Sequence, residues 1–169
     1  MPETSPLNLA IAQIEFARQY TVGLIESIDE SDYFVIPAGG VTHIAWQLGH
    51  LAMAEYALTM MRIRGKEPDD ANLIDNDFLR AFKKGSRPIA DATAYPDVAH
   101  IRQVFDGVHE HALREMPTYG EDLLRESLPE PYMAFANKLG SLLFCAAHEM
   151  MHAGQIGTWR RMMGMAPVR

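Results

Sequence analysis

The most informative segment of the chain runs from Ser141 to Arg161 and reads SLLFCAAHEMMHAGQIGTWRR. His148 and His152 are four residues apart, and because an α-helix turns about 100° per residue, they share one helix face. Further side chains on the same stripe, flanked by apolar residues, are Ser141, Cys145, Gln155 and Trp159. A polar stripe on an otherwise apolar helix must face either water or interior groups that satisfy it. The stretch therefore predicts a helix whose polar face needs one of these two environments.

The composition is that of an ordinary soluble globular protein. The chain has 169 residues, of which 48% are apolar and 22% charged, and this suits a single domain spanning residues 1 to 169. A formal net charge of −7 and the lack of a basic run argue against nucleic-acid binding. No apolar run approaches the ~20 residues of a membrane-spanning helix, and the N-terminus lacks a signal-peptide pattern. A single cysteine cannot form an internal disulfide. We therefore expect a cytoplasmic protein.

Four long segments show the apolar periodicity of helices, with three- and four-residue steps. Ser5 and Thr42 are suitable N-caps for the first two, and Gly65 and Gly164 are suitable stops for the second and fourth. Strand evidence is confined to the short run Tyr33–Ile36. The four helices are expected at about residues 6–28, 42–64, 96–116 and 137–163.

The connection between the second and third long helices, residues 65 to 95, is much longer than two adjacent antiparallel helices need. It is long enough to run the height of a bundle, so these two helices are expected to be parallel. Shorter helices are expected near residues 74–84 and 121–127. The sequence thus predicts an all-α fold, a four-helix bundle with a long crossover between helices 2 and 3.

The histidine spacing suggests a metal site. Two imidazoles on one helix face can bind one ion, but a third ligand must come from another helix, and His50 is the best candidate because it sits on an apolar face. Three histidines would leave one position open, as in catalytic sites. Gln155, one turn beyond His152, would either hydrogen-bond a ligand or orient a metal-bound water, or it would be a plain surface amide. The alternative is that His50, His148 and His152 are buried hydrogen-bonding residues without a metal.

The run His148-Glu149-Met150-Met151-His152 also matches the zinc-protease pattern H-E-x-x-H. The longer form of that pattern requires a further Gly and a third His, which are missing here, so a protease is disfavoured. Glu149 points roughly 100° away from His148 around the helix and is a poor candidate for a catalytic base. Cys145 is expected to be a small buried apolar residue, and His100, His109 and His111 are expected on the solvated side of the third helix.

Two motifs together carry a family resemblance: Trp46-Gln47-Leu48-Gly49-His50-Leu51, and the run from His148 to Ile156. With the helix layout, they resemble the DinB-like superfamily, whose members are four-helix bundles with a long crossover and a three-histidine metal site from helices two and four. The resemblance implies that His50, His148 and His152 are the ligands. It also implies an activity like that of the YfiT-like putative metal-dependent hydrolases or of the thiol-dependent S-transferases, and it implies a homodimer.

Two functional hypotheses follow. In the first, the protein is a metal-dependent enzyme whose divalent ion, zinc or nickel before iron or manganese, activates a small thiol for transfer or water for hydrolysis. Its partner would be a small-molecule substrate, with a low-molecular-weight thiol as one option, and neither nucleic acid nor a membrane is expected. In the second, the protein is a non-enzymatic helical bundle that binds a metal or ligand in a stress-related role.

Overall fold

The computed structural model describes residues 5–132 and 135–168, and most of these residues are helical. The helices are α1 (Pro6–Ile25), α2 (Ile44–Tyr56), α3 (Arg62–Arg64), α4 (Asp70–Leu73), α5 (Asn76–Ala81), α6 (Val98–Glu115), α7 (Glu121–Arg125) and α8 (Lys138–Met162). A π-helical turn, Ala57–Met61, joins α2 to α3, and short 3₁₀ helices occur at Glu30–Asp32, Ala92–Ala94 and Met116–Thr118. The predicted all-α fold class is confirmed.

The ends of the long helices follow local capping chemistry. The Ser5 hydroxyl accepts a hydrogen bond from the Asn8 amide at 3.2 Å, as its N-cap position predicts. The N-cap of α2 is His43 rather than the predicted Thr42, because the His43 Nδ1 atom accepts from the Trp46 amide at 3.1 Å. α1 ends at Ile25, before the predicted end near residue 28, and Gly65 terminates α3 with a φ of 93° that favours glycine.

The long helices pack in pairs, α1 on α8 and α2 on α6, while α2 also contacts α8. Two side-chain contacts join α2 and α3 to α6: Glu55 binds His109, and Arg64 forms an ion pair with Glu115 further along both segments. The two helices therefore run parallel, as the length of the crossover predicts. Ser141, at the start of α8, donates to the Leu58 carbonyl near the end of this α2–α3 segment. Because Gln47 near the start of α2 pairs with Gln155 late in α8, these two run antiparallel.

The strands lie elsewhere than predicted. β1 (Ser127–Tyr132) and β2 (Phe135–Asn137) form an antiparallel pair directly before α8. Pro129 fits there because, in the described part of the chain, each strand pairs only with the other, so a missing N–H need not break a ladder. The predicted strand at Tyr33–Ile36 is wrong: this segment is a turn and loop, in which the Tyr33 carbonyl accepts from the Ala45 amide at 2.9 Å.

Among the described residues, no helix combines the length and the apolar character needed to cross a membrane.

Candidate metal centre

Three histidines from two helices converge on one point. His50 lies on α2, His148 and His152 lie on α8, and one ring nitrogen from each falls within 4.8 Å of the other two. The ring centroids of His148 and His152 are 4.6 Å apart, and that of His50 is 4.8 Å from His152. The two helices thus bring together the three imidazoles that the sequence pattern singled out.

The ring of His50 is fixed by the crossover and by its own helix. Its Nδ1 atom lies 2.8 Å from the carbonyl oxygen of Phe82. A carbonyl only accepts, so Nδ1 carries the proton and the Nε2 lone pair is left free. The Trp46 indole stacks on the same imidazole, with centroids 4.7 Å apart and an interplanar angle of 8°. Gly49 allows Phe82 to approach α2 this closely, because a Cβ atom at position 49 would lie 2.5 Å from the Phe82 ring.

The ring of His152 is fixed by a chain of amides. Its Nδ1 atom lies 2.6 Å from Oε1 of Gln47. The Gln47 amide nitrogen donates to Gln155 Oε1 and to the Thr42 hydroxyl, each at 2.9 Å, so its oxygen must point at the imidazole. His152 therefore also carries its proton on Nδ1 and keeps Nε2 free. Metal-binding histidines commonly donate their second nitrogen to such a neighbour, which sets the tautomer.

Gln155 is exposed and is separated from the histidines by a second amide side chain. It contacts Gln47 rather than a histidine, so it acts on His152 only through that amide. Gln47 and the Phe82 carbonyl orient two of the rings, and neither was predicted from the sequence. The position of Gln47, three residues before His50 and on the same face of α2, was the signal that could have identified it.

All three imidazoles are neutral at neutral pH. Burial is the main cause, lowering the pKa of His148 to about 4 with help from the charges of His50 and Lys84. Burial, His148 and His50 lower the pKa of His152 to about 3. Burial also lowers the pKa of His50, against the effect of its bond to Phe82. Neutral imidazole is the form that binds metals.

The histidines open onto a cavity of about 640 Å³, within the usual size range of small-molecule sites. Its wall is largely apolar, and two cations, Arg62 and Lys84, also line it. Three of the lining residues come from the π-helical turn, a feature that frequently occurs at functional sites. The apolar wall consists of Trp46, Met53, Ala54, Ala57, Leu58, Met61, Phe144 and Met151.

Glu149 is directed away from this cavity. Its carboxylate accepts from Arg18 Nε at 2.9 Å, and Arg18 also donates to Glu55 at 2.6 Å and to the Phe105 carbonyl at 2.7 Å. Because Glu149 is 3% exposed and paired with a cation of α1, it is not a general base at the histidines. The expected solvated position of His109 is wrong, since its Nδ1 atom lies 2.8 Å from Glu55.

Cys145 is buried beside the same ion network, as its expected role as a small apolar residue requires. Burial, and then the negative charges of Glu55 and Glu149, raise the pKa of its thiol well above the ordinary value. A thiol in this state is a poor nucleophile and a poor metal ligand. Cys145 also does not line the cavity.

The donor set fits a divalent transition metal. Three neutral imidazoles present ring nitrogens that lie within 4.8 Å of one another, and two of them have their tautomer set by an oxygen acceptor. Imidazole suits zinc, nickel, iron and copper better than the oxygen-preferring cations.

Comparison with known protein families identifies the fold type that carries this site. The model of the DinB superfamily matches residues 13–156, which include all three histidines. A search of curated proteins finds no match. The chain belongs to the DinB superfamily, and the predicted family is therefore confirmed.

Proposed function

We propose that this DinB-superfamily protein is a metal-dependent enzyme that holds a divalent ion with His50, His148 and His152 and transfers a small thiol. The observation that carries the proposal is the convergence of three neutral imidazoles at the wall of an apolar cavity. Zinc or nickel suits an all-imidazole site better than manganese does. The four long helices would form the four-helix bundle, with its long crossover, that supports such a site.

The chain's own residues would divide the work. The three histidines would hold the ion, while Gln47 and the Phe82 carbonyl keep two of the rings in the binding tautomer. The apolar wall would exclude water from the reacting groups. A bound divalent ion would supply Lewis acidity, which lowers the pKa of a coordinated thiol or water toward neutral pH.

Thiol transfer is favoured over hydrolysis by the absence of a base. No Asp or Glu is found among the described residues that line the cavity, and Glu149 is engaged by Arg18. Hydrolysis benefits from a group that takes a proton from water, whereas a thiol with a lowered pKa is already nucleophilic. The second candidate function, a metal- or ligand-binding bundle without turnover, is supported by the same histidines and must be separated by assay.

Elemental analysis of protein purified without an affinity tag tests the metal site. We expect one divalent ion per chain in the wild type and none in the His148→Ala/His152→Ala double variant. The matched control is His100→Ala, since His100 is exposed on α6. Equal metal content in the wild type and the double variant would refute the site.

Turnover is tested next, with a panel of small thiols and electrophilic acceptors and a parallel panel of esters. Thiol consumption that disappears in the double variant supports the transferase, and ester cleavage alone supports a hydrolase. Bound metal without turnover in either panel supports the non-enzymatic alternative.

A further inference from the structure

We propose that the substrate of this site has an apolar body and an anionic group, and that Lys84 binds the anionic group. The inference rests on the proposed function, because it names the class of substrate that the same cavity takes. Three features of the cavity carry it: the sign of its charges, the way Lys84 is held, and the apolar wall.

The charge at the cavity is opposite to that of the whole protein. The chain has a net charge of −7, yet the charged side chains among the described lining residues are Arg62 and Lys84. Within the described part of the chain, Lys84 forms no hydrogen bond or ion pair. Its ammonium group is therefore available to a ligand, and a cationic ligand would be repelled at this position.

A tight turn presents Lys84. The Ser86 amide donates to the Lys83 carbonyl at 3.0 Å, which closes a turn with Lys84 and Gly85 at its centre. Gly85 has a φ of 86°, which side-chain-bearing residues rarely adopt and which a glycine at this position of a turn supplies. The backbone of Lys84 is thus confined by the turn on its C-terminal side.

Both ends of this segment are attached to the histidine site. On one side of Lys84, the buried Phe82 gives its carbonyl to His50. On the other side, the Ser86 hydroxyl accepts from the Trp46 indole at 2.9 Å, and that indole stacks on His50. The backbone of Lys84 is therefore held in a fixed position relative to the proposed metal. A cation placed in this way contributes to specificity, because little of its backbone freedom is lost when a ligand binds.

The distribution of polarity along the cavity gives the substrate two parts. Apolar side chains of α2, the π-helical turn and α8 form most of the wall and match an apolar body. The histidines would receive the reacting group, and the exposed Lys84 would receive the anionic group. A substrate of this kind is a carboxylate, sulfonate or phosphate attached to an apolar chain or ring.

Matched eight-carbon probes test the proposal. The affinities of octanoate, 1-octanol and octylammonium are measured by calorimetry, in the metal-loaded protein and after removal of metal by a chelator. We expect octanoate to bind about twofold to fivefold more tightly than octanol, the upper part of the range for an exposed ion pair. Lys84→Gln should remove this preference while leaving octanol binding unchanged, and Lys84→Glu should favour octylammonium.

Lys83→Gln is the matched control, because Lys83 is the exposed neighbour of Lys84 and does not line the cavity. The metal-free measurement decides the matter, since it removes any direct bond between the carboxylate and the ion. Equal affinities for octanoate and octanol, no binding of octanoate, or a preference that survives in Lys84→Gln would overturn the proposal. Metal content separates this failure from that of the proposed function, because Lys84 is not a ligand.

Discussion

Neighbouring residues of the same two helices serve two opposite purposes. On α2, His50 faces the cavity and Glu55 faces the interior; on α8, His148 faces the cavity while the adjacent Glu149 faces α1. One set, the ion network of Arg18, Glu55, Glu149 and His109, is closed on itself. The other set, the histidine group of His50, His148 and His152, keeps nitrogen donors directed at a cavity.

The difference lies in whether the hydrogen-bonding capacity is used up. In the ion network, Arg18 has three acceptors around its guanidinium, and the second oxygen of Glu55 is taken by His109. In the histidine group, only Nδ1 of His50 and of His152 is engaged. Buried polar groups that satisfy one another stabilise a fold, whereas a cluster with unused nitrogen lone pairs toward a cavity is suited to bind a ligand or a metal.

Disrupting the ion network should have the largest effect on stability. Arg18→Met would leave two carboxylates buried without a cation, and we expect the free energy of unfolding to fall by about 3–5 kcal/mol. Urea denaturation measures this change. The control is Arg161→Met, which replaces an exposed arginine near the end of α8. It should change the free energy of unfolding by less than about 0.5 kcal/mol. A loss below about 1 kcal/mol in Arg18→Met would show that the ion network is not structural.

Removing a hydrogen bond that orients the histidine group should weaken metal binding rather than folding. Gln47→Leu removes the acceptor of His152 Nδ1–H, and we expect the affinity for zinc to fall about tenfold to a hundredfold. Competition with a fluorescent chelator measures it. Gln155→Leu should cause a smaller loss, because Gln155 acts through Gln47, and Gln103→Leu on the exposed part of α6 should cause none. A Gln47→Leu affinity equal to that of the wild type would mean that the amide chain does not orient the ring.

The two sets also mark what could be predicted from the sequence. The helix face shared by His148 and His152 follows from their spacing, and the apolar surroundings of His50 indicated a buried site. The orienting pairs did not follow: Phe82 is 32 residues from His50, and although Gln47 shares a helix face with His50, the histidine that it contacts is 105 residues away. Only the packing of the crossover and of α2 against α8 creates these pairs.

The error on His109 has the same origin. Its position on the polar side of α6 predicted exposure, since helical periodicity reports a residue's own helix and not its neighbour. The neighbour is Glu55, which is 1% exposed and needs a second donor besides Arg18. The strand pair formed by residues 127–132 and 135–137 was missed for a related reason, because two prolines in the first strand look like a chain break in the sequence.

The histidine group and the ion network should destabilise the protein in different pH ranges as the pH is lowered. The folded-state pKa values of His148 and His152, about 4 and about 3, lie below the value of about 6.5 expected for unfolded chains. The unfolded state therefore binds more protons, and metal-free protein should lose stability as the pH falls below about 6.5. Each such histidine contributes up to about 1.4 kcal/mol per pH unit in this window. Glu55, whose pKa is lowered by Arg18 and His109 despite its burial, weakens the fold only at lower pH.

The slope between pH 6.5 and 4.5, measured by urea denaturation of chelator-treated protein, isolates the histidines from the carboxylates. His152→Gln should reduce that slope by up to about 1.4 kcal/mol per pH unit, the contribution of one titrating group. The reason is that a glutamine side chain can still bond to Gln47 but does not titrate. His43, whose pKa burial lowers to about 4, should keep part of the slope in the variant. An unchanged slope in His152→Gln would mean that the imidazole at position 152 is already protonated in the folded state. The histidine group would then be a charged cluster and not the neutral donor set that a metal needs.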